Sequence, residues 1–268
     1  MTSHTKGLAV ITGASAGIGA VYADRLARRG YDLLLVARNQ ERLEQVANAI
    51  ANNTRRQVET LVADLMNPSD LHKVEQLLRD DARVTLLVNN AGVGATAPLL
   101  NSNMADMSQM ITLNVEVLTR LTYAVVPALV ARGSGTIINI GSIVAVSPET
   151  LNGVYGGTKA FVLAFSQSLR HELAGKGIRV QVVLPGATST NFWNLAGTPV
   201  EYLPQEIVMP VDDMVDAAIA GLDQGEFVTI PSLPDVEQWH AYENARQALV
   251  PNLSLAVPAS RYTQVSYA

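Results

Sequence analysis

The chain has 268 residues, a formal net charge of −5 and no cysteine. The mild negative charge disfavours a nucleic-acid or anionic-membrane partner. The absence of thiols excludes disulfides, thiolate metal sites and a cysteine nucleophile, and four scattered histidines predict no metal site.

The length suits one large α/β domain over residues 1–268, since the sequence contains no linker-like break, internal repeat or low-complexity stretch. The first strand-like run begins at Leu8, which leaves no room for a signal peptide, and no apolar run reaches the length expected of a membrane span. We therefore expect a cytoplasmic protein.

The first predicted element is a buried strand at residues 8–11, followed by a glycine-rich turn and a helix that ends at Gly30. Glycines between a strand and a helix let the backbone approach a pyrophosphate, which the N–H groups of the helix N-terminus bind. The turn has the spacing G-x-x-x-G-x-G, and a tight turn without a ligand is the alternative interpretation. The predicted cofactor-binding residues of the turn are Gly13, Ser15, Ala16, Gly17, Ile18 and Gly19.

The second predicted strand, at residues 32–38, ends on Arg38. In a dinucleotide-binding fold, an acid at this point pairs with a ribose 2′-hydroxyl, whereas an arginine accommodates a 2′-phosphate. A guanidinium can hold a phosphate through two N–H donors. Arg38 therefore favours NADP(H), with NAD(H) possible; a purely structural place at the sheet edge is the competing interpretation.

Further strands are predicted at 58–63, 84–88, 136–141, 178–184 and 227–230. Helices are predicted between the strands, including a long one at 105–131. Strands that alternate with helices predict βαβ units and right-handed crossovers. The predicted fold is therefore α/β: a doubly wound Rossmann fold with a mostly parallel seven-stranded sheet and helices on both faces.

A serine, a tyrosine and a lysine follow the fifth strand. Tyr155 and Lys159 are four residues apart, so they project from the same face of a helix. An ammonium beside a phenol is expected to lower the phenol pKa and to make the tyrosine usable in proton transfer. Ser142 would lie at the carboxyl edge of the sheet, where ligands bind in open α/β folds. The competing interpretation is a half-buried tyrosine beside a solvated lysine.

After Gly186 the periodic pattern weakens. Residues 187–210 hold Phe192 and Trp193 among Gly, Pro and Thr, and aromatic residues in an irregular segment beside the carboxyl edge predict a substrate lid. A packed surface connection is the alternative. Helices are expected at 211–221 and 236–249, while the segment from Pro251 to Ala268 gives no clear signal.

Several motifs together resemble the short-chain dehydrogenase/reductase family. They occur in the family's order over residues 8 to about 190: Thr12-Gly13-x-x-x-Gly17-Ile18-Gly19, Asp64, Asn89-Asn90-Ala91-Gly92, Asn114, Ser142, Tyr155-x-x-x-Lys159 and Pro185-Gly186. The N-terminal half most resembles NADP(H)-preferring bacterial members. The glycine-rich turn departs from many of these because it lacks a basic residue, so the cofactor preference rests on Arg38, with Ser15 as a second donor.

The resemblance implies a role for each catalytic position. Tyr155 would be the general acid and base, and Lys159 would lower the phenol pKa and bind the nicotinamide ribose. Ser142 would donate a hydrogen bond to the substrate oxygen, and Asn114 would reach Lys159 through a bridging water.

The resemblance also implies the surroundings of the cofactor. Asp64 and Leu65 would border the adenine, and Asn90, Ala91 and Gly92 the ribose side. Pro185, Gly186, Thr188 and Thr190 would border the nicotinamide. Apolar neighbours that would contact a substrate are Val93, Val144, Leu151, Phe192 and Trp193.

The expected function is transfer of a hydride between NADP(H) and a carbonyl or alcohol substrate. The alternatives are an NAD(H)-linked alcohol dehydrogenase and, from another class, a nicotinamide-binding sensor without turnover. The helices around Asn114 and Tyr155 resemble those through which family members assemble, which predicts a homodimer or homotetramer.

Overall fold

The fold is built on one parallel sheet, seen in a computed structural model that describes residues 5–263. Within these residues seven strands pair in the order β3-β2-β1-β4-β5-β6-β7, and every pair is parallel. The strands are β1 Leu8–Thr12, β2 Asp32–Ala37, β3 Val58–Val62, β4 Val84–Asn89, β5 Gly135–Ile140, β6 Ile178–Val183 and β7 Val228–Thr229. The predicted Rossmann fold is confirmed, and the sheet is wholly rather than mostly parallel.

Helices follow the strands as the periodicity predicts. They are α1 Gly17–Arg28, α2 Gln40–Thr54, α3 Pro68–Asp80, α4 Met104–Ile111, α5 Leu118–Arg132, α6 Gly153–Glu172, α7 Phe192–Ala196, α8 Val211–Gln224, α9 Val236–Ala248 and α10 Ser260–Thr263. A π-helical turn, Thr112–Val117, joins α4 to α5 without a break.

Both faces of the sheet are covered by helices. Alternate residues of each central strand therefore belong to different hydrophobic clusters. Ala9 and Ile11 of β1 pack with α1 and α8, whereas Leu8 and Val10 pack with α3 and α5. Side chains of a strand point alternately to the two faces, so a strand covered on both faces is apolar throughout. This explains the continuous apolar runs in the sequence.

Asparagine side chains fix the starts of two helices. Asn39 Oδ1 accepts a hydrogen bond from the Arg42 N–H at 2.9 Å, and Asn67 Oδ1 accepts from Ser69 N–H at 2.9 Å. Pro68 follows Asn67 in the first turn of α3, where its missing N–H costs nothing. Asn39 and Asn67 are therefore the N-caps of α2 and α3.

The prediction that no apolar run reaches membrane-spanning length is wrong. The continuous helical stretch Met104–Arg132 is long and apolar enough by length and composition. Its Leu121, Val125 and Leu129 are buried in the core on one face of the sheet, which accounts for this apolar composition.

The described chain forms two compact units that divide between Pro231 and Ser232. The first contains the sheet. The second contains α9, which Asp235 caps by accepting a hydrogen bond from the Glu237 N–H at 3.0 Å. The single domain over 1–268 stays a prediction, and the last five residues of the C-terminal segment lie outside the described residues.

Candidate active site

A cavity of about 700 Å³ opens at the carboxyl ends of the strands. It brings together the glycine-rich turn, the end of β2, the end of β5, the start of α6 and the segment after β6. Every residue named from the sequence as a site candidate lines this cavity except Gly19 and Asn114.

The glycine-rich turn has the shape that a close ligand needs. Gly13 and Gly17 have φ angles of +66° and +55°, which L-residues with a side chain rarely adopt. A Cβ on Gly19 would overlap the Gly13 carbonyl oxygen and lie 2.6 Å from Asn90 Nδ2. Gly19 therefore acts behind the cavity wall, by letting α1 start close to the turn.

Asn90 and Thr12 hold this turn in place. The Asn90 amide nitrogen donates to the carbonyl oxygens of Thr12 and Gly13 at 2.8 and 3.2 Å. The Thr12 hydroxyl accepts from the N–H groups of Asn90 and Ala91, both at 3.0 Å. The Asn90 side chain thus fixes the turn, and the neighbouring backbone borders the cavity.

Two arginines lie where the cavity passes the end of β2. Arg38 was predicted there, and Arg42, on the first turn of α2, is a lining residue that the sequence reasoning missed. The sequence did contain a signal for Arg42. Asn39 caps α2 and lies between the two arginines, so the helix that carries Arg42 starts close to Arg38. Asp64 also lines this end, and its Oδ1 accepts from the Met66 N–H at 3.0 Å.

Ser142, Tyr155 and Lys159 meet at the other end of the cavity. Ser142 directly follows β5, while Tyr155 and Lys159 lie on the first turns of α6. Asn152 begins that helix by accepting hydrogen bonds from the N–H groups of Val154 and Tyr155 at 2.9 and 3.3 Å. The Lys159 ammonium nitrogen lies 5.8 Å from the centroid of the Tyr155 ring.

Burial shifts the pKa values of both Tyr155 and Lys159. It raises the pKa of Tyr155 to about 12, against a smaller lowering by the Ser142 hydroxyl. Burial also lowers the pKa of Lys159 from 10.5 to about 8. The expected lowering of the phenol pKa by Lys159 is therefore wrong for this arrangement, because desolvation disfavours the phenolate and the ammonium donates to the Ile140 carbonyl at 2.9 Å.

Asn114 is buried in the π-helical turn. Its Oδ1 accepts from the Val93 N–H at 3.0 Å, and its Nδ2 donates to the Val93 carbonyl at 2.8 Å and to the Thr158 hydroxyl at 3.1 Å. It thereby ties the segment after β4 to the helix that carries Tyr155 and Lys159. Helix propensity alone would place a mid-helix asparagine on the surface; π-turns, however, are frequent at functional sites.

The predicted lid segment contains α7 and two short 3₁₀ turns, Val200–Tyr202 and Gln205–Ile207. Phe192 and Trp193 of α7 line the cavity. Trp193 is 8% exposed, and its indole N–H donates to the Thr188 carbonyl at 3.0 Å. Leu195, Leu203 and Ile207 also line the cavity; they belong to the predicted lid segment but are not among the predicted substrate contacts.

Comparison with known proteins agrees with this geometry. A profile of the family described as short chain dehydrogenase matches residues 7–199. Sulfoacetaldehyde reductase 2 of Chromohalobacter salexigens is 38% identical over 188 residues, which is 69% of this chain and 74% of that protein.

Solved structures of two proteins match nearly the whole chain. A short-chain dehydrogenase from Sphingobium yanoikuyae, in complex with NADPH, has a TM-score of 0.92 and 48% identity over 96% of this chain and 99% of that one. The bulky-bulky ketone specific alcohol dehydrogenase from Comamonas testosteroni has a TM-score of 0.88 and 42% identity over 97% of this chain and 99% of that one. The protein therefore belongs to the short-chain dehydrogenase family and is an oxidoreductase of that type.

Proposed function

We propose that this protein interconverts a ketone or aldehyde with the corresponding alcohol and uses NADP(H) as its cofactor. The observation that carries the proposal is the joint position of Ser142, Tyr155 and Lys159 on the wall of a cavity whose opposite end has a glycine-rich turn and two arginines.

The cavity fits a phosphorylated dinucleotide. The glycine-rich turn leaves room for a pyrophosphate at the N-terminus of α1, where backbone N–H groups and the helix dipole favour an anion. Arg38 and Arg42 can donate to a 2′-phosphate, and the neighbouring Asp64 carboxylate already accepts the Met66 N–H. The NADPH complex of the Sphingobium enzyme supports this preference. NAD(H) use is the alternative that the test below separates.

Each catalytic side chain has a separate task. NADPH, when bound, supplies the hydride. Tyr155 gives its phenolic proton to the substrate oxygen, which breaks its O–H bond and forms that of the alcohol. The raised phenol pKa keeps the proton in place at neutral pH, and Lys159 binds the nicotinamide ribose. Ser142 donates a hydrogen bond to the same oxygen, and Asn114 positions the helix behind them.

The substrate is a carbonyl compound with apolar substituents. Val144 and Tyr155 are buried in one hydrophobic cluster, and Val93, Leu151 and Phe192 pack against it. These side chains border the reacting end of the cavity. The ketone specificity named for the Comamonas enzyme supports this class. Residues 187–210 act as the substrate lid.

The protein acts as a cytoplasmic homo-oligomer. Tyr123 of α5 stacks on Phe165 of α6, which stacks on Phe161. Tyr123 is 68% exposed and Phe161 36%. Exposed aromatic side chains on adjacent helices are typical of a surface that a second copy covers.

The test is consumption of NADPH and of NADH with a panel of ketones and aldehydes, with Tyr155→Phe as the paired variant. We expect NADPH-selective turnover, with kcat in the variant lower by a factor of about 10²–10⁴ because the proton donor is lost. The Kd for NADPH should change less than about twofold. Tight NADPH binding without turnover on any carbonyl would favour the sensor, and equal rates with NADH would contradict the cofactor assignment.

A further inference from the structure

The cavity wall beside Tyr155 contains one aromatic ring that the catalytic roles do not use. Phe192 is the first residue of α7, and its ring centroid lies 5.7 Å from that of Tyr155, with an interplanar angle of 43°. The ring is partly buried against the hydrophobic cluster around Tyr155 and Val144. Any group held at the Tyr155 hydroxyl has this ring as a neighbour.

The ring has this position because residue 94 is glycine. A Cβ on Gly94 would overlap Phe192 Cζ and lie 2.8 Å from Cε2, which is well inside the contact distance of two carbon atoms. Gly94 is not among the glycines with a positive φ. The glycine is therefore required for space rather than for backbone conformation.

Hydrogen bonds join the segment that contains Gly94 and Thr96 to the segment that contains α7. The backbone N–H and the hydroxyl of Thr96 both donate to the Ala196 carbonyl at 3.0 Å, and the Thr198 hydroxyl donates to the Thr96 hydroxyl at 2.9 Å. The buried Trp193 indole anchors the same short helix to Thr188. With α7 held at both ends, a side chain added at position 94 would displace the ring rather than the helix.

We propose that Gly94 and Phe192 together set the size of the substituent that the site accepts beside the substrate carbonyl. This assignment rests on the proposed carbonyl reduction and deepens it: one arm of the ketone packs against the Phe192 ring. A smaller residue at 192 enlarges the space for that arm, and any side chain at 94 pushes the ring into it.

Acetophenone and hexanophenone are suitable probes because they differ only in the second arm, methyl against pentyl. Affinity of each ketone is measured by calorimetry in the presence of NADP⁺, a combination that has no hydride to transfer. The same ketones are then used with NADPH for kcat/KM. The binding readout separates the size selection from the reaction itself.

We expect Phe192→Ala to raise the hexanophenone-to-acetophenone ratio at least about tenfold, in affinity and in kcat/KM, which is the scale that a few methylene groups command in an apolar pocket. Phe192→Leu should lie between that variant and the wild type. Gly94→Ala should lower the ratio by at least about tenfold. The double variant should resemble Phe192→Ala, because it has no ring to displace.

Two variants are matched controls. Asn194→Ala lies on the same helix but outside the cavity lining, and Gly153→Ala adds a methyl group with nothing within 4 Å. Both should leave the ratio within about twofold of wild type.

A ratio unchanged in Phe192→Ala would overturn the proposal, as would a double variant that resembles Gly94→Ala, or a wild-type NADP⁺ complex that binds neither ketone. Expected binding ratios without turnover would instead overturn the proposed reaction and leave the size selection standing.

Discussion

Arg38 is the residue that decides between the two nicotinamide cofactors in our proposal. It directly follows β2 and lines the cavity, and the structure shows that Arg42 lines the cavity as well. The motif that identifies Arg38 is local, since strand end and side chain are adjacent in sequence. The position of Arg42 at the cavity depends on where α2 begins, which the structure shows.

We expect Arg38→Asp to weaken NADPH binding by about 100-fold, because it removes a charged hydrogen-bond donor and adds a repelling carboxylate. NADH binding should change less than about threefold. Lys176→Asp makes the same change in charge on an exposed residue outside the cavity lining and is the control. Equal losses for both cofactors, measured by fluorescence titration, would remove the 2′-phosphate argument.

Lys159 predicts a pH dependence of stability. Burial lowers its pKa in the folded protein from 10.5 to about 8. Between these values the unfolded chain carries the proton and the folded chain does not, so the free energy of unfolding rises with pH. Relative to Lys159→Met, the wild type should gain up to about 3 kcal/mol between pH 7 and pH 10.

Urea unfolding of both proteins without cofactor, at several pH values, measures this difference. Because every other titrating group is common to the pair, the difference reports Lys159 alone. A difference that stays constant or falls over this range would contradict a buried, desolvated ammonium.

At the scale of elements, the connection from β1 to α1 places the strictest steric limits on its residues. The helix begins directly on the glycine-rich turn, and Asn90 fixes that turn from the end of the neighbouring strand β4. A local sequence pattern predicted the turn, but the contact between residues 19 and 90 depends on how strands β1 and β4 pair.

Gly19→Ala should therefore destabilise the protein by about 1–3 kcal/mol, the usual cost of an overpacked contact, and should weaken NADPH binding. Its added Cβ meets the Gly13 backbone carbonyl and the Asn90 side-chain amide, which two hydrogen bonds hold in place. Thermal unfolding and NADPH titration measure both effects, with Gly153→Ala as the open-space control. A variant as stable as wild type with unchanged affinity would show that the turn can relax.

The π-helical turn around Asn114 is an element that the sequence did not reveal. Residues 105–131 read as one long helix, which is confirmed in extent. The change of helix type within it accompanies the three hydrogen bonds that Asn114 makes with Val93 and Thr158. Those partners are 21 and 44 residues away, beyond the reach of any periodicity.

At the scale of the whole molecule, the aromatic surface of Tyr123, Phe161 and Phe165 predicts assembly. Tyr123→Glu should shift the protein to a smaller species in light scattering after size exclusion, because a charge replaces an apolar contact. Val62→Glu makes a similar change at an exposed position of the edge strand β3 and should leave the mass unchanged. A monomeric wild type, or equal effects of the two variants, would contradict an interface on this face.

By itself, the sequence determined the order of strands and helices, the parallel sheet and the family, because buried strands, glycine turns and spaced motifs are local patterns. It also named most of the cavity lining, since carboxyl ends of parallel strands meet at one edge.

Only the tertiary structure decided the pKa directions at Tyr155 and Lys159, the hydrogen bonds of Asn114, the place of Arg42 and the fit of Phe192 against Gly94. Each of these depends on burial or on contact between distant parts of the chain. Desolvation and steric exclusion act through space, so residue spacing along the sequence could not disclose them.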